Sequence, residues 1–132
     1  MTYQIGGNHY KSEYEHWDWV RDVSVGFLVG SLIKYLIRWR KKDGVDDLKK
    51  ARTFLLKTIE TRNFPGAPRH YRQSGTDLAY TKLYIETNNI PKQEAEIIYL
   101  VSGLCFSNDT TRALVILNTM IKEQESEKNK NS

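Results

Sequence analysis

Apolar residues recur at helical spacing along most of this chain, and nowhere do they alternate over a strand's length. Between 27 and 42 they fall at Leu28, Leu32, Ile33, Leu36 and Ile37, which predicts a first long helix. Gly44 stands where a left-handed C-terminal cap belongs. Asp46 is the expected N-cap of a second helix over 47–62, and Asp47 adds negative charge to its first turn. Leu48, Ala51, Leu55 and Ile59 form the apolar stripe of that helix. So short a connection makes the pair an antiparallel helical hairpin.

Elements on either side follow the same logic. A short helix over 15–25 carries Trp17, Trp19 and Val20, and Gly26 breaks it. Residues 2–11 lack periodicity and contain Gly6-Gly7-Asn8, which predicts an irregular N-terminal segment. Two prolines and two glycines make 63–76 a linker loop that also carries Arg69, His70, Tyr71 and Arg72. Thr76 or Asp77 caps a helix to 87 that packs through Ala79, Tyr80, Leu83 and Tyr84. Pro91 suits the first turn of another helix. Ile97, Leu100, Val101, Leu104 and Cys105 form its narrow seam, a pattern suited to helix pairing within the chain or between subunits. Asn108 or Asp109 caps a last helix containing Leu114, Leu117 and Ile121, and the polar tail from 123 should fray. The reading is all-α: a single domain over 1–132, a compact bundle of about five or six short helices around the hairpin. Its parts are 1–62 with the hairpin, the linker 63–76, the C-terminal helices over 77–122, and the tail.

Composition narrows the class. The chain has 132 residues, 39% of them hydrophobic, enough for one core. No apolar run approaches the roughly 20 residues of a membrane span, and no signal-peptide pattern opens the chain. The lone Cys105 lies between Leu104 and Phe106 and reads as a buried thiol. A cytoplasmic protein is the default expectation. Net charge is +4, too mild for a dedicated nucleic-acid binder. The excess is concentrated over 34–52, which suits a small polyanion such as a nucleotide better than a long phosphate track.

Lys34, Arg38 and Lys41 recur at i, i+4 and i+7 and are expected to share one helical face, beside Tyr35 and Trp39. Cations beside aromatic rings suit a phosphate-bearing ligand; an ordinary solvated face is the simpler explanation of such a stripe. Arg38 can grip phosphate oxygens bidentately and Lys34 acts as a point charge, with Lys50 joining from the facing helix. His9 can donate to a phosphate oxygen, relay a proton or accept a phosphoryl group. Otherwise Asn8 makes a turn over which His9 and Tyr10 pack. Trp17 and Tyr35 can stack on a base, with Asp18 accepting from base or ribose. Their alternative roles are core aromatics and a helix-start acid.

Several motifs are missing. There is no Walker A loop, no dinucleotide fingerprint and no serine-hydrolase elbow. One cysteine and three scattered histidines, His9, His16 and His70, make no zinc set. Asp43, Asp46 and Asp47 can hold Mg²⁺ beside a nucleotide, although capping accounts for Asp46 and Asp47 without a metal.

The ordered set Gly6-Gly7-Asn8-His9-Tyr10, Trp17-Asp18, Gly-x-x-Ile-Lys-Tyr-x-x-Arg over 30–38 and Gly-x-x-Asp-Leu-x-Lys-Ala over 44–51 resembles a family of small phage-encoded proteins. That family includes the early nucleotide kinase of T-odd coliphages, which has no P-loop. The resemblance covers about residues 3–60. It differs at His16, where a proline often precedes the Trp-Asp pair, and at Ser31 and Arg40. It implies a homo-oligomer in the host cytoplasm that moves a phosphoryl group from a nucleoside triphosphate to a deoxynucleoside monophosphate, dTMP- or dGMP-like. His9, Lys34 and Arg38 would then be catalytic. Asn8, Tyr10, Trp17, Asp18, Tyr35, Lys41 and Lys50 would bind substrate. The alternatives are an oligomeric nucleotide binder that sequesters a signal made by host defence without turnover, and an accessory protein that docks on another protein through its aromatic N-terminal segment.

Overall fold

The computed structural model describes residues 13–62, 75–102 and 107–130. Among them are six helices and no strand: α1 (His16–Val23), α2 (Gly26–Arg38), α3 (Val45–Arg62), α4 (Gly75–Thr87), α5 (Lys92–Ser102) and α6 (Ser107–Lys130). The all-α expectation holds. The α2–α3 hairpin is the centre. Helix α6 lies on α3 and α5, α5 also touches α2, and α1 bridges α2 to α4.

The hairpin core follows the apolar periodicity. Leu32, Ile33 and Leu36 of α2 meet Leu48, Ala51 and Leu55 of α3, all without solvent exposure. Ile97, Ile98 and Val101 of α5 and Ala113 and Leu117 of α6 complete this core. The described part of the α5 seam is therefore spent inside the chain; Leu104 and Cys105 lie outside the described residues. Around α1 the same core turns aromatic. Trp19 stacks on Tyr84 with centroids 4.9 Å apart, and its indole N–H donates to the Thr81 hydroxyl at 3.0 Å. Tyr14 stacks on Tyr80 at 5.9 Å.

Several boundaries differ from the sequence reading. Helix α2 ends at Arg38, not 42, because the chain tightens there. The Lys41 N–H reaches the Arg38 carbonyl, and the Gly44 N–H reaches that of Trp39 at 2.9 Å, with Gly44 left-handed at φ 57°. The turn puts Trp39 inside, where its indole N–H donates to the buried Glu94 carboxylate at 3.3 Å and Arg40 pairs with the same carboxylate. Helix α3 begins at Val45, so Asp46, expected as its N-cap, is instead its second residue and lies in the first turn with Asp47. At the other end, α6 stays helical to Lys130, and Lys49 of α3 pairs with its Glu125 at 3.6 Å.

Candidate functional site

Helix α2 delivers two adjoining features, one on either side of Lys34. The first is a cluster around Tyr35. Its ring stacks on Phe54 of α3 at 5.8 Å, nearly parallel. Three cations gather at the same ring: the Arg38 guanidinium carbon at 4.7 Å from the centroid, Lys50 Nζ at 5.4 Å and Lys34 Nζ at 5.7 Å. The face that α2 was expected to present is thus real for Lys34 and Arg38, and Lys50 joins it across the hairpin. Lys41 does not. It lies in the turn after α2, exposed and off the helical stripe, because the helix has already ended.

Arg38, expected to grip phosphate with its fork, applies that fork to Asp47. Nε donates to Oδ2 at 3.2 Å and Nη2 to Oδ1 at 3.1 Å, and the Asp47 side chain is fully buried. The Asp43 N–H adds a third donor at 3.0 Å. Burial alone would raise the Asp47 carboxyl; the Arg38 and Asp43 hydrogen bonds outweigh it and hold the group below the usual carboxylate range. The same bond to Asp47 raises the Arg38 guanidinium above its ordinary value. Asp43 is exposed and sits between Arg38 at 3.7 Å and Lys50 at 3.8 Å.

The second feature is an open groove of about 380 Å³ between α1 and the first half of α2. Trp17 and Phe27 stand in it, 65% and 77% exposed. Val20, Gly26 and Gly30 contribute apolar surface, and Lys34 and Arg21 are the cations in its lining. Helix α1 packs on α2 at Gly30, where a Cβ would lie 3.4 Å from a Val20 methyl, an ordinary van der Waals contact. Phe27 touches the Tyr35 cluster by meeting Phe54 edge-on at 6.0 Å. Arg21 is held by Asp22 at 2.8 Å and Asp18 at 3.4 Å. Lys34 has no carboxylate partner among the described residues.

His16 supports the groove from beneath. Nε2 lies 3.0 Å from the Gly30 carbonyl, which only accepts, so Nε2 carries the proton. Nδ1 of the neutral ring then accepts from the Tyr84 hydroxyl at 2.8 Å. Burial pushes the imidazole below its ordinary value, with Lys34 adding to the effect and the Gly30 hydrogen bond opposing it. Burial also keeps the Tyr84 phenol protonated, hence a donor.

Trp17 therefore lies in a groove rather than a core, beside Lys34. Asp18 is engaged within its own helix, where it accepts the Glu15 N–H at 3.0 Å in the capping box of α1. Asn8, His9 and Tyr10 lie outside the described residues, as do Arg69, His70, Tyr71 and Arg72. Asp43 and Asp46 line a polar notch of about 480 Å³ beside Glu127, interleaved with Lys42 and Lys128. Asp47 is committed to Arg38. Among the described residues no group of three or more histidine, cysteine or acidic side chains is placed to hold a metal. Nor is any described helix long and apolar enough to cross a membrane.

Sequence reasoning missed Phe27, Arg21 and His16. Phe27 had one visible signal, a large aromatic at a helix start and off the apolar stripe. His16 had only its position before the Trp-Asp pair.

Residues 6–56 match the model of a family described as a protein of unknown function, DUF3310. The match spans α1, α2 and most of α3, so it contains the groove and the Tyr35 cluster. No curated protein and no solved structure matches this chain.

Proposed function

We propose that this protein binds a nucleotide in the α1–α2 groove. The base lies against Trp17 and Phe27, and the phosphate meets the Lys34 ammonium. One observation carries the reading. The two most exposed large apolar side chains among the described residues share a groove with a lysine that has no carboxylate partner there. Exposed aromatic surface gains from a flat ligand, and base–aromatic stacking is worth about 1–3 kcal/mol per base. Lys34 has no ion pair with a described carboxylate to break before it takes a phosphate.

Arg38 and Lys41 are left out of this assignment, since one is spent on Asp47 and the other is off the helix. Holding a nucleotide is accordingly the first reading. Phosphoryl transfer from a triphosphate to a deoxynucleoside monophosphate, which the resemblance to phage nucleotide kinases implies, is the second. The specific point in its favour is again Lys34, a cation not committed to a described carboxylate and able to stabilise charge on a moving phosphoryl group.

One experiment tests both. Titration of each deoxynucleoside mono- and triphosphate, with and without Mg²⁺, is followed by tryptophan fluorescence, and the same mixtures are resolved by ion-exchange chromatography. Saturable quenching that Lys34→Ala weakens supports binding. Diphosphate products lost in Lys34→Ala would promote the kinase reading. No response to any nucleotide would overturn both.

A further inference from the structure

The groove ends at Lys34, but the cationic surface does not. Lys34 belongs to the groove lining and also stands 5.7 Å from the Tyr35 ring. Lys50, on the other helix of the hairpin, stands 5.4 Å from the same ring. Two ammonium groups thus lie within 6 Å of one aromatic ring, and one of them, Lys34, also lines the groove.

The carboxylates nearby divide the cations into two kinds. Asp47 is buried and accepts from three donors, two of them on Arg38, so freeing Arg38 would strand a buried carboxylate. Asp43 is exposed, and its contact with a half-exposed Lys50 is long, at 3.8 Å. Exposed pairs of this kind contribute little and exchange readily. A ligand phosphate carries more charge and more acceptor oxygens than one carboxylate, so it competes well for Lys50.

We propose that the Tyr35 cluster is a phosphate-chain subsite of the groove, which makes the ligand class nucleoside di- and triphosphates. The first phosphate sits at Lys34. The outer phosphates pass Tyr35 and take Lys50 from Asp43. Arg38, its charge neutralised by Asp47, packs its guanidinium 4.7 Å from the centre of the Tyr35 ring and takes no phosphate. Asp43 is then an internal competitor that sets the affinity for the outer phosphates. This assignment rests on the nucleotide reading of the groove.

Calorimetric titration of the full chain with a deoxynucleoside, its monophosphate, its triphosphate and inorganic tripolyphosphate tests it, in wild type, Lys50→Ala and Asp43→Asn. Circular dichroism confirms that the variants keep their helices, as both positions are exposed. The triphosphate should bind at least about tenfold tighter than the monophosphate, one charge-assisted contact's worth. Lys50→Ala should erase that preference and leave monophosphate affinity unchanged, and Asp43→Asn should enlarge it. Equal affinities for mono- and triphosphate, or an equal loss for both in Lys50→Ala, would overturn the subsite while the groove reading stands. Tripolyphosphate binding that depends on Lys50, with no gain from the attached nucleoside, would keep the subsite and overturn the base groove. No binding of any probe overturns both.

Discussion

The Arg38 guanidinium meets the buried Asp47 carboxylate through two hydrogen bonds, at 3.2 and 3.1 Å, across the turn of the α2–α3 hairpin. The pair stands beside Lys34 and Lys50 at the Tyr35 ring but serves the fold. It closes the hairpin end where α2 stops and α3 starts, and the Asp43 N–H completes the carboxylate's partners.

Arg38→Ala and Lys34→Ala should therefore differ in kind. Removing Arg38 strands a buried carboxylate, and the melting temperature should fall by about 5 °C or more. Lys34 is exposed and has no described carboxylate to lose, so its removal should shift the melting temperature by about 2 °C at most. Acid adds a signature. Asp47 has a folded pKa below its ordinary 3.8. The unfolded chain therefore takes up the proton first as pH falls. The pair's stabilisation is complete above about pH 4 and is lost as pH drops through the folded value. Arg38→Ala should flatten that acid limb of a urea-unfolding series, and an unchanged limb would show that the pair contributes nothing there.

The hairpin was legible because helical periodicity sets which face is buried, and Leu32, Ile33, Leu36, Leu48, Ala51 and Leu55 are all inside as their spacing requires. Gly44 announced the turn through its left-handed conformation. The stripe of cations was legible only in part. Spacing places Lys34 and Arg38 on one face, yet it cannot say that Asp47 will come round the turn to claim Arg38. Nor can it say that the backbone tightens at Arg38 and throws Lys41 off the face. The groove was hidden for a related reason. Trp17 and Phe27 meet Lys34 only once α1 docks on α2, through the packing of Val20 on Gly30 and the His16 bridge, a tertiary arrangement that local pattern does not encode.

Tryptophan fluorescence isolates the groove. Of the three tryptophans, Trp19 is wholly buried and Trp39 nearly so, while Trp17 is open. Acrylamide should quench essentially one of the three, and that fraction should vanish in Trp17→Phe. Bound nucleotide should shield it. Phe27→Ala should weaken nucleotide binding by about 5- to 100-fold, the equivalent of one lost stacking partner. Its melting temperature should stay near wild type, since Phe27 is mostly exposed. Shielding that survives intact in Phe27→Ala would remove that ring from the site.

His16 predicts a second, separate pH window. Its folded pKa lies below the ordinary 6.5, chiefly through burial. Stability from the neutral ring is complete above about pH 6.5. It declines as pH falls below that value, because the unfolded chain then binds the proton and the folded one resists it. Urea midpoints measured from pH 7.5 to 5 should therefore fall towards acid in wild type and stay flatter in His16→Gln. Tyr84→Phe removes the donor to Nδ1, freeing that nitrogen for a proton, so the imidazole should titrate at higher pH by NMR. A His16 resonance that titrates at its ordinary value in wild type would refute the buried, doubly bonded ring.

The contact between α1 and α4 carries the last prediction, since α1 forms one wall of the groove. The Trp19 indole N–H is buried and donates to Thr81, whose hydroxyl in turn donates to the Asp77 carbonyl at 2.9 Å. Thr81→Val keeps the shape but strands the indole N–H, at a cost of about 1–3 kcal/mol. Thr81→Ser keeps the hydroxyl and should cost less. If α4 holds α1 in place, Thr81→Val should also loosen nucleotide binding without touching any ligand-facing residue, and Thr81→Ser should restore it. Stability lost in Thr81→Val with full affinity retained would mean that the groove wall is set by the Gly30–Val20 approach and the His16 bridge alone.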